Sequence, residues 1–211
     1  MQIKQEATSF APTSELIDEV ITEDLAERCV ALLLRYIGED PDRDGLKKTP
    51  RRVLRALKEM TAGYGEDPQS ILATTFEVDV PSGQMIVLDS IQFTSLCEHH
   101  LLPFSGTAAV AYIPGTDVDR PVVGVSKLAR LVECFARRLQ VQERMTEQIA
   151  DSLYHGVQAA GTAVVVRAIH SCMSCRGVQQ PQSHMVTSAM RGVLLTDRSA
   201  RQEFLSYLER K

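Results

Sequence analysis

No unbroken apolar run in the 211-residue chain exceeds six residues, the longest being Cys29–Leu34 and Ala108–Ile113. A bilayer-spanning helix needs about 18, so no membrane partner is expected. The opening Met1-Gln-Ile-Lys-Gln-Glu lacks the apolar stretch of a secretory leader, and a cytoplasmic setting is expected. Positive charge is in short supply: 23 Lys and Arg face 27 Asp and Glu, for a formal net charge of -4. That balance argues against nonspecific nucleic-acid binding and leaves room for a local basic pocket for a small anion. The five cysteines are an odd number in a chain that reads as cytosolic. A disulfide framework is not expected, and a metal or reactive-thiol role gains weight. There is no internal repeat and no low-complexity segment. With 44% hydrophobic and 24% charged residues, the chain is not a disordered tail, a collagen-like fibre or a coiled-coil rod.

The length fits one large domain or a domain with a small appendage. Residues 1 to about 20 are polar and read as a loose arm. Thr22, Glu23 and Asp24 then open a helix with an apolar stripe at Leu25, Cys29, Leu32, Leu33 and Tyr36. The run from Gly38 to Gly45 breaks it. Thr49-Pro50 starts a second helix whose buried face is Val53, Leu54, Leu57 and Met60, ended by Gly63-Tyr64-Gly65. From Thr74 the period changes. Phe76, Val78 and Val80 alternate with acids, which predicts a half-exposed strand in a hairpin with Met85–Phe93. Phe104–Ile113 is a further strand, and Thr116–Pro121 an exposed loop. Ser126 is expected to cap a third helix, and Val141, Met145, Ile149, Leu153 and Val157 form the stripe of a fourth. Strands follow over Thr162–Met173 and Met185–Leu195, and Asp197 caps a closing helix. This order predicts an α+β fold, an antiparallel sheet covered on one face, with the first two helices as an antiparallel pair ahead of it. The expected division is an arm and hairpin over 1–73 and the sheet-bearing domain over 74–211.

Chemistry concentrates at Cys97-Glu98-His99-His100, where a Cys and a His three apart on a turn can reach one ion. Far downstream lies His170-Ser171-Cys172, at the end of the strand from Thr162. Side chains alternate along a strand, so His170 and Cys172 would share a face. Cys97, His100 and Cys172 offer two thiolates and an imidazole, which suit zinc. Three protein ligands leave one position open, the mark of a catalytic site. His99 and His170 would stay unligated and free for proton transfer near neutral pH. Two other readings stand beside this one. The same residues can be buried packing groups. Alternatively, Cys175 joins Cys97, His100 and Cys172 in a closed structural site, which would make the chain a non-catalytic zinc-binding regulatory or scaffolding protein. Residues three apart in a strand face opposite sides, an objection that lapses if the strand ends at Cys172. Cys29 and Cys134 read as packing residues on helices.

Basic residues form a second concentration. Ser126, Lys127 and Arg130 lie at a helix N-terminus, where backbone donors favour anions. Arg176 follows the second half of the metal cluster, and Arg51, Arg52 and Arg55 sit on the second helix. Together these can line a phosphate pocket. Gln142-Glu143 offers an amide and a carboxylate able to read a base edge such as that of guanine.

Four segments carry a resemblance to a known family: Ser95-Leu-Cys-Glu-His-His-Leu-Leu-Pro-Phe-Ser-Gly106, Gly124-Val-Ser-Lys-Leu-Ala-Arg130, Arg138-Leu-Gln-Val-Gln-Glu-Arg144 and His170-Ser-Cys-Met-Ser-Cys-Arg-Gly177. In this order they closely resemble the signatures of GTP cyclohydrolase I, and the likeness runs from about Thr22 to the C-terminus. It implies the T-fold and a decamer of two pentamers with active sites between subunits. It also implies hydrolysis of GTP at guanine C8 by zinc-activated water, giving 7,8-dihydroneopterin triphosphate and formate, the first step of tetrahydrofolate and pterin biosynthesis. By motif match, Cys97, His100 and Cys172 hold zinc, and His99 and His170 move protons. Gln142 and Glu143 hold guanine, and Ser126, Lys127, Arg130 and Arg176 bind the triphosphate and ribose. Arg52 adds a phosphate contact, and Glu98 orients the site or touches substrate.

Overall fold

The structure, a computed structural model, describes residues 22–77, 83–115 and 121–209. The arm expected over 1–20, the strand residues Val78–Val80 and most of the loop expected after Gly115 lie outside the described residues. The chain divides into two compact units, one up to Leu57 and one from Lys58 onward.

In the first unit, helix α1 (Glu23–Tyr36) starts as its sequence predicts: the Thr22 hydroxyl accepts the Leu25 N–H at 3.2 Å. Its apolar stripe is open to solvent, with Leu32, Leu33 and Tyr36 all exposed. Helix α2 (Thr49–Met60) includes Thr49 as a helical residue rather than as a cap, and carries Val53, Leu54 and Leu57 half-buried. 

The second unit takes in the last turn of α2 and continues with elements the sequence reading missed. A 3-10 turn (Ala62–Gly65) stands where only a helix stop was expected. It leads to helix α3 (Pro68–Leu72), capped by the Asp67 carboxylate, which accepts from the Gln69 and Ser70 N–H groups. Leu72, at its end, is fully buried. Strand β1 (Thr75–Glu77) does not form the expected hairpin. It pairs antiparallel with β4 (Pro121–Val123), Thr75 opposite Val123. An alternating pattern fixes which face a strand buries, but not which strand lies beside it.

The main sheet has the order β5-β2-β3-β6-β7, with β2 (Ile86–Cys97), β3 (Pro103–Ile113), β5 (Leu139–Gln140), β6 (Gly161–His170) and β7 (Met185–Gly192). All pairings are antiparallel except the short β2–β5 contact. Helices α4 (Val125–Ala136) and α5 (Gln142–Gly156) pack on one face of this sheet. Leu128, Leu131, Val132 and Phe135 of α4, and Met145, Ile149 and Leu153 of α5, recur at helical spacing and are all buried. This is the expected α+β arrangement of the T-fold. The backbone N-cap of α4 is Gly124, with no side-chain cap bond; Ser126, expected as the cap, lies inside the first turn.

The C-terminal segment departs from expectation in a further way. After Gly192 the chain leaves the sheet in a short helix, α7 (Val193–Thr196), and α8 (Arg198–Glu209) follows, its first turn capped by Asp197. Leu194 and Phe204 bury themselves against Ala109, Ala111, Ile113 and Ala163 in a second, smaller core. Small side chains on those strands admit the helix closely. Two close backbone approaches also fix the sheet. A Cβ at Gly106 would lie 1.9 Å from the Arg167 carbonyl oxygen on β6. Gly192 adopts φ +57°, and a Cβ there would meet the Ala160 carbonyl oxygen at 2.1 Å.

Candidate metal centre and active site

Residues Cys97 to Leu102 form the tight connection between β2 and β3, whose last pair is Leu96 with Pro103. The Cys97 N–H donates to the Leu102 carbonyl at 2.9 Å, and the Leu101 N–H donates back to the Cys97 carbonyl at 2.8 Å. Leu101 closes the turn in the left-handed region at φ 54°. The turn brings the Cys97 sulfur to 3.6 Å from His100 Nδ1. The downstream half is built differently from the expectation. Strand β6 ends at His170, and Cys172 rides on a single helical turn, α6 (Ser171–Ser174). Because β6 pairs with β3, with His170 opposite Phe104, this turn lands beside the β2–β3 connection.

The ligand atoms of Cys97, His100 and Cys172 all lie within 4.8 Å of one another. Two sulfurs and an imidazole nitrogen on one tetrahedral ion would stand about 3.5–4 Å apart, given metal–ligand bonds of about 2.0–2.3 Å. The observed Cys97–His100 separation matches such an edge, and the donors are those of a soft divalent ion. Cys97 is buried, Cys172 half-buried and His100 exposed, so the group is open on one side. Burial and the neighbouring Cys97 push the Cys172 thiol up. A bound cation would act in the opposite direction. Cys175 does not join the group. It is exposed, and its thiol donates to the Ser171 carbonyl at 2.9 Å. The end of β6 at His170 removes the strand-face objection to Cys175, but the helical turn directs it elsewhere.

Around this group stand several of the residues singled out from sequence. His99 is exposed, its Nε2 3.8 Å from Glu98. Glu98 is held by Arg144, a residue the sequence reading passed over although it ends one of the quoted motifs. The Arg144 guanidinium keeps the Glu98 carboxyl below the usual carboxylate range, and Arg144 also donates to Gln140 and to the Leu139 carbonyl. His170 lies flat on Phe104, and its Nε2 is 2.8 Å from the Gln142 side-chain oxygen. Burial lowers the His170 pKa, opposed by the charge of Glu143. Gln142 is fully buried, whereas Glu143, next to it at the start of α5, is exposed. Arg176 follows α6, exposed, its guanidinium 3.4 Å from the Cys172 carbonyl.

Other predicted residues lie apart from these. Val123, just before α4, donates its N–H to the Tyr112 hydroxyl. Tyr112 is near one end of β3 and Phe104 near the other, eight residues and roughly 25 Å apart at about 3.3 Å per residue. Ser126 and Lys127 thus stand at the end of the sheet remote from Cys97 and Cys172. Arg130 is one turn further along α4 and exposed. Arg52 is exposed on α2, in the first unit.

Fold and side-chain group together define a T-fold protein with a thiolate–imidazole group suited to a divalent metal. A family model described as GTP cyclohydrolase I matches residues 26–209. The chain is 48% identical over 190 residues to a GTP cyclohydrolase 1 of Rickettsia bellii, an alignment covering 90% of this chain and 97% of that protein. It is 49% identical to a GTP cyclohydrolase 1 of Wolinella succinogenes, over 86% of this chain and 95% of that one. A GTP cyclohydrolase 1 of Dehalococcoides mccartyi is 47% identical over 90% and 98%. The chain belongs to the GTP cyclohydrolase I family.

Proposed function

We propose that this chain hydrolyses GTP at guanine C8, releasing formate and yielding 7,8-dihydroneopterin triphosphate, with zinc held by Cys97, His100 and Cys172. The convergence of those three ligand atoms within 4.8 Å, open on one side, is the observation that carries the reading. Zinc bound there would supply a Lewis acid that lowers the pKa of water to about 7. His99, exposed beside the ligand turn, is placed to move a proton at the guanine imidazole nitrogen. His170 serves the proton transfers of ring opening and of the later sugar rearrangement. Guanine presents two adjacent donors, N1–H and the N2 amine, and the exposed Glu143 carboxylate can accept both. Glu98, fixed by Arg144, orients the Cys97–His100 turn.

Lys127, Arg130, Arg176 and Ser126 are assigned to the triphosphate and ribose, with Arg52 as a further phosphate contact. The α4 N-terminus, whose cap supplies no side-chain acceptor, leaves backbone donors for an anion. The separation of Ser126 and Lys127 from the metal group within one chain supports an active site completed by a second copy. A decamer of two pentamers meets that need. Metal-binding thiols need a reducing compartment, which supports a cytoplasmic setting.

The test is incubation with GTP, with and without a chelator, following formate release and the pterin product by mass and by fluorescence after oxidation. Chelator-sensitive release of both is expected. No product from zinc-replete, assembled protein would overturn the reading, and a formylated ring-opened product would restrict it to the first hydrolysis.

A further inference from the structure

Gln142 is an expected guanine contact, yet its side chain is spent inside the fold. It is fully buried. Its amide nitrogen lies 3.1 Å from each of three oxygens: the Val166 carbonyl, the Met185 carbonyl and the Thr187 hydroxyl. Carbonyls only accept, so the end of the amide that faces two of them must be the NH2. The Gln142 oxygen is therefore the atom at 2.8 Å from His170 Nε2. An amide oxygen cannot donate, so Nε2 must carry the hydrogen of that bond.

The hydroxyls nearby lock this arrangement. Thr146 donates to the Gln142 backbone carbonyl at 2.7 Å, which uses its single hydrogen. The Thr146–Thr187 contact, also 2.7 Å, then has Thr187 as donor. Thr187 is in turn one of three acceptors that share the two hydrogens of the Gln142 amide. The result is a ring in which each bond has only one possible direction: Gln142 amide to Thr187, Thr187 to Thr146, Thr146 to the Gln142 carbonyl. Phe104 stacks on the imidazole and fixes the plane in which Nε2 meets its acceptor.

We propose that Gln142 is a positioning residue for His170 rather than a substrate contact, holding the imidazole as its Nε2–H tautomer and leaving Nδ1 as the nitrogen that exchanges protons with the substrate. The inference rests on the reading of His170 as a proton-transfer residue. It divides the Gln142-Glu143 pair, with Gln142 turned inward to the histidine and Glu143 outward to the base.

The test combines 15N solid-state NMR of histidine-labelled protein with steady-state kinetics on GTP. A His170→Asn difference spectrum identifies the His170 signals. Wild type is expected to show a protonated Nε2 and an unprotonated Nδ1, and a protonated Nδ1 would overturn the proposal. Gln142→Leu is expected to give mixed tautomers, with kcat down about ten-fold or more while the KM for GTP stays within about two-fold. A raised KM with unchanged kcat would overturn it, since that is the signature of a lost substrate contact. If Gln142→Leu fails to fold, the wild-type spectrum decides. Full turnover by His170→Asn would instead remove the reading of His170 on which the proposal rests.

Discussion

The Phe104 ring lies against the His170 imidazole with centroids 4.5 Å apart and planes within 3° of parallel. Phe104 is almost wholly buried and also meets Phe93 edge-on at 6.0 Å. One face of the half-buried histidine is thus part of the hydrophobic core. Phe104→Leu should cost about 1 kcal/mol of stability, but should lower kcat by more than that loss explains. Paired denaturation and turnover measurements check this.

The metal group predicts a graded set of variants. Cys172→Ser should lose the ion. His170→Ala should keep it while losing turnover, because His170 is engaged by Gln142 and Phe104. Cys175→Ser should keep both ion and activity, its thiol being bonded to the Ser171 carbonyl. Metal analysis of the purified variants, beside GTP turnover, checks all three. Zinc loss from Cys175→Ser would restore the closed-site reading.

Gly106 sits where β3 and β6 nearly touch, and a methyl group there would overlap the Arg167 carbonyl. Gly106→Ala should destabilise the fold by about 2–4 kcal/mol, a backbone clash that no side-chain rotation relieves. Urea denaturation measures it directly.

His170 also sets a pH dependence. Burial holds its folded-state pKa below the ordinary value of about 6.5. The unfolded chain therefore takes up this proton first as the pH drops. The contribution of the neutral imidazole is fully present above about pH 6.5 and is lost as the pH falls toward and through the folded pKa. Metal-free protein should lose stability over that interval, and His170→Asn should flatten the slope. Melts at a series of pH values between 5 and 8 test the difference.

Complementation tests whether two copies build one site. Lys127→Ala and Cys172→Ser should each be inactive alone. Refolded together, they should regain activity, because an intact α4 end from one copy can meet an intact metal group from another. Mixtures no more active than their parts would place each site within a single chain.

The helices α4 and α5 were legible because their apolar residues recur at 3.6-residue spacing and are the residues buried. The β6–β7 pairing followed from turn signals and alternation, whereas the places of β2 and β3 in the sheet did not. The β1–β4 pairing did not, because Phe76 and its neighbours specify a face and not a partner. Cys97, His100 and Cys172 were singled out together from residue type and motif, and the structure brings their ligand atoms within 4.8 Å of one another. The helical turn that carries Cys172 was not legible, since four residues are too few to show a period. Phe104 gave no sign of its place against His170, nor Thr146 and Thr187 of theirs around Gln142. Phe104 and Thr187 owe their places to register between distant strands, which local spacing does not encode, and Thr146 acquires its second partner only through Thr187.

The sheet carries its chemistry on one side, while the alanine-paved reverse of β3 and β6 is covered by Leu194 and Phe204. Trimming the chain before Arg198 would strip away Phe204 and lay bare flat strands prone to stick to one another. Such a truncated protein would be expected to clump before its ligand turn is disturbed, so loss of solubility and loss of metal uptake should part company at the C-terminus.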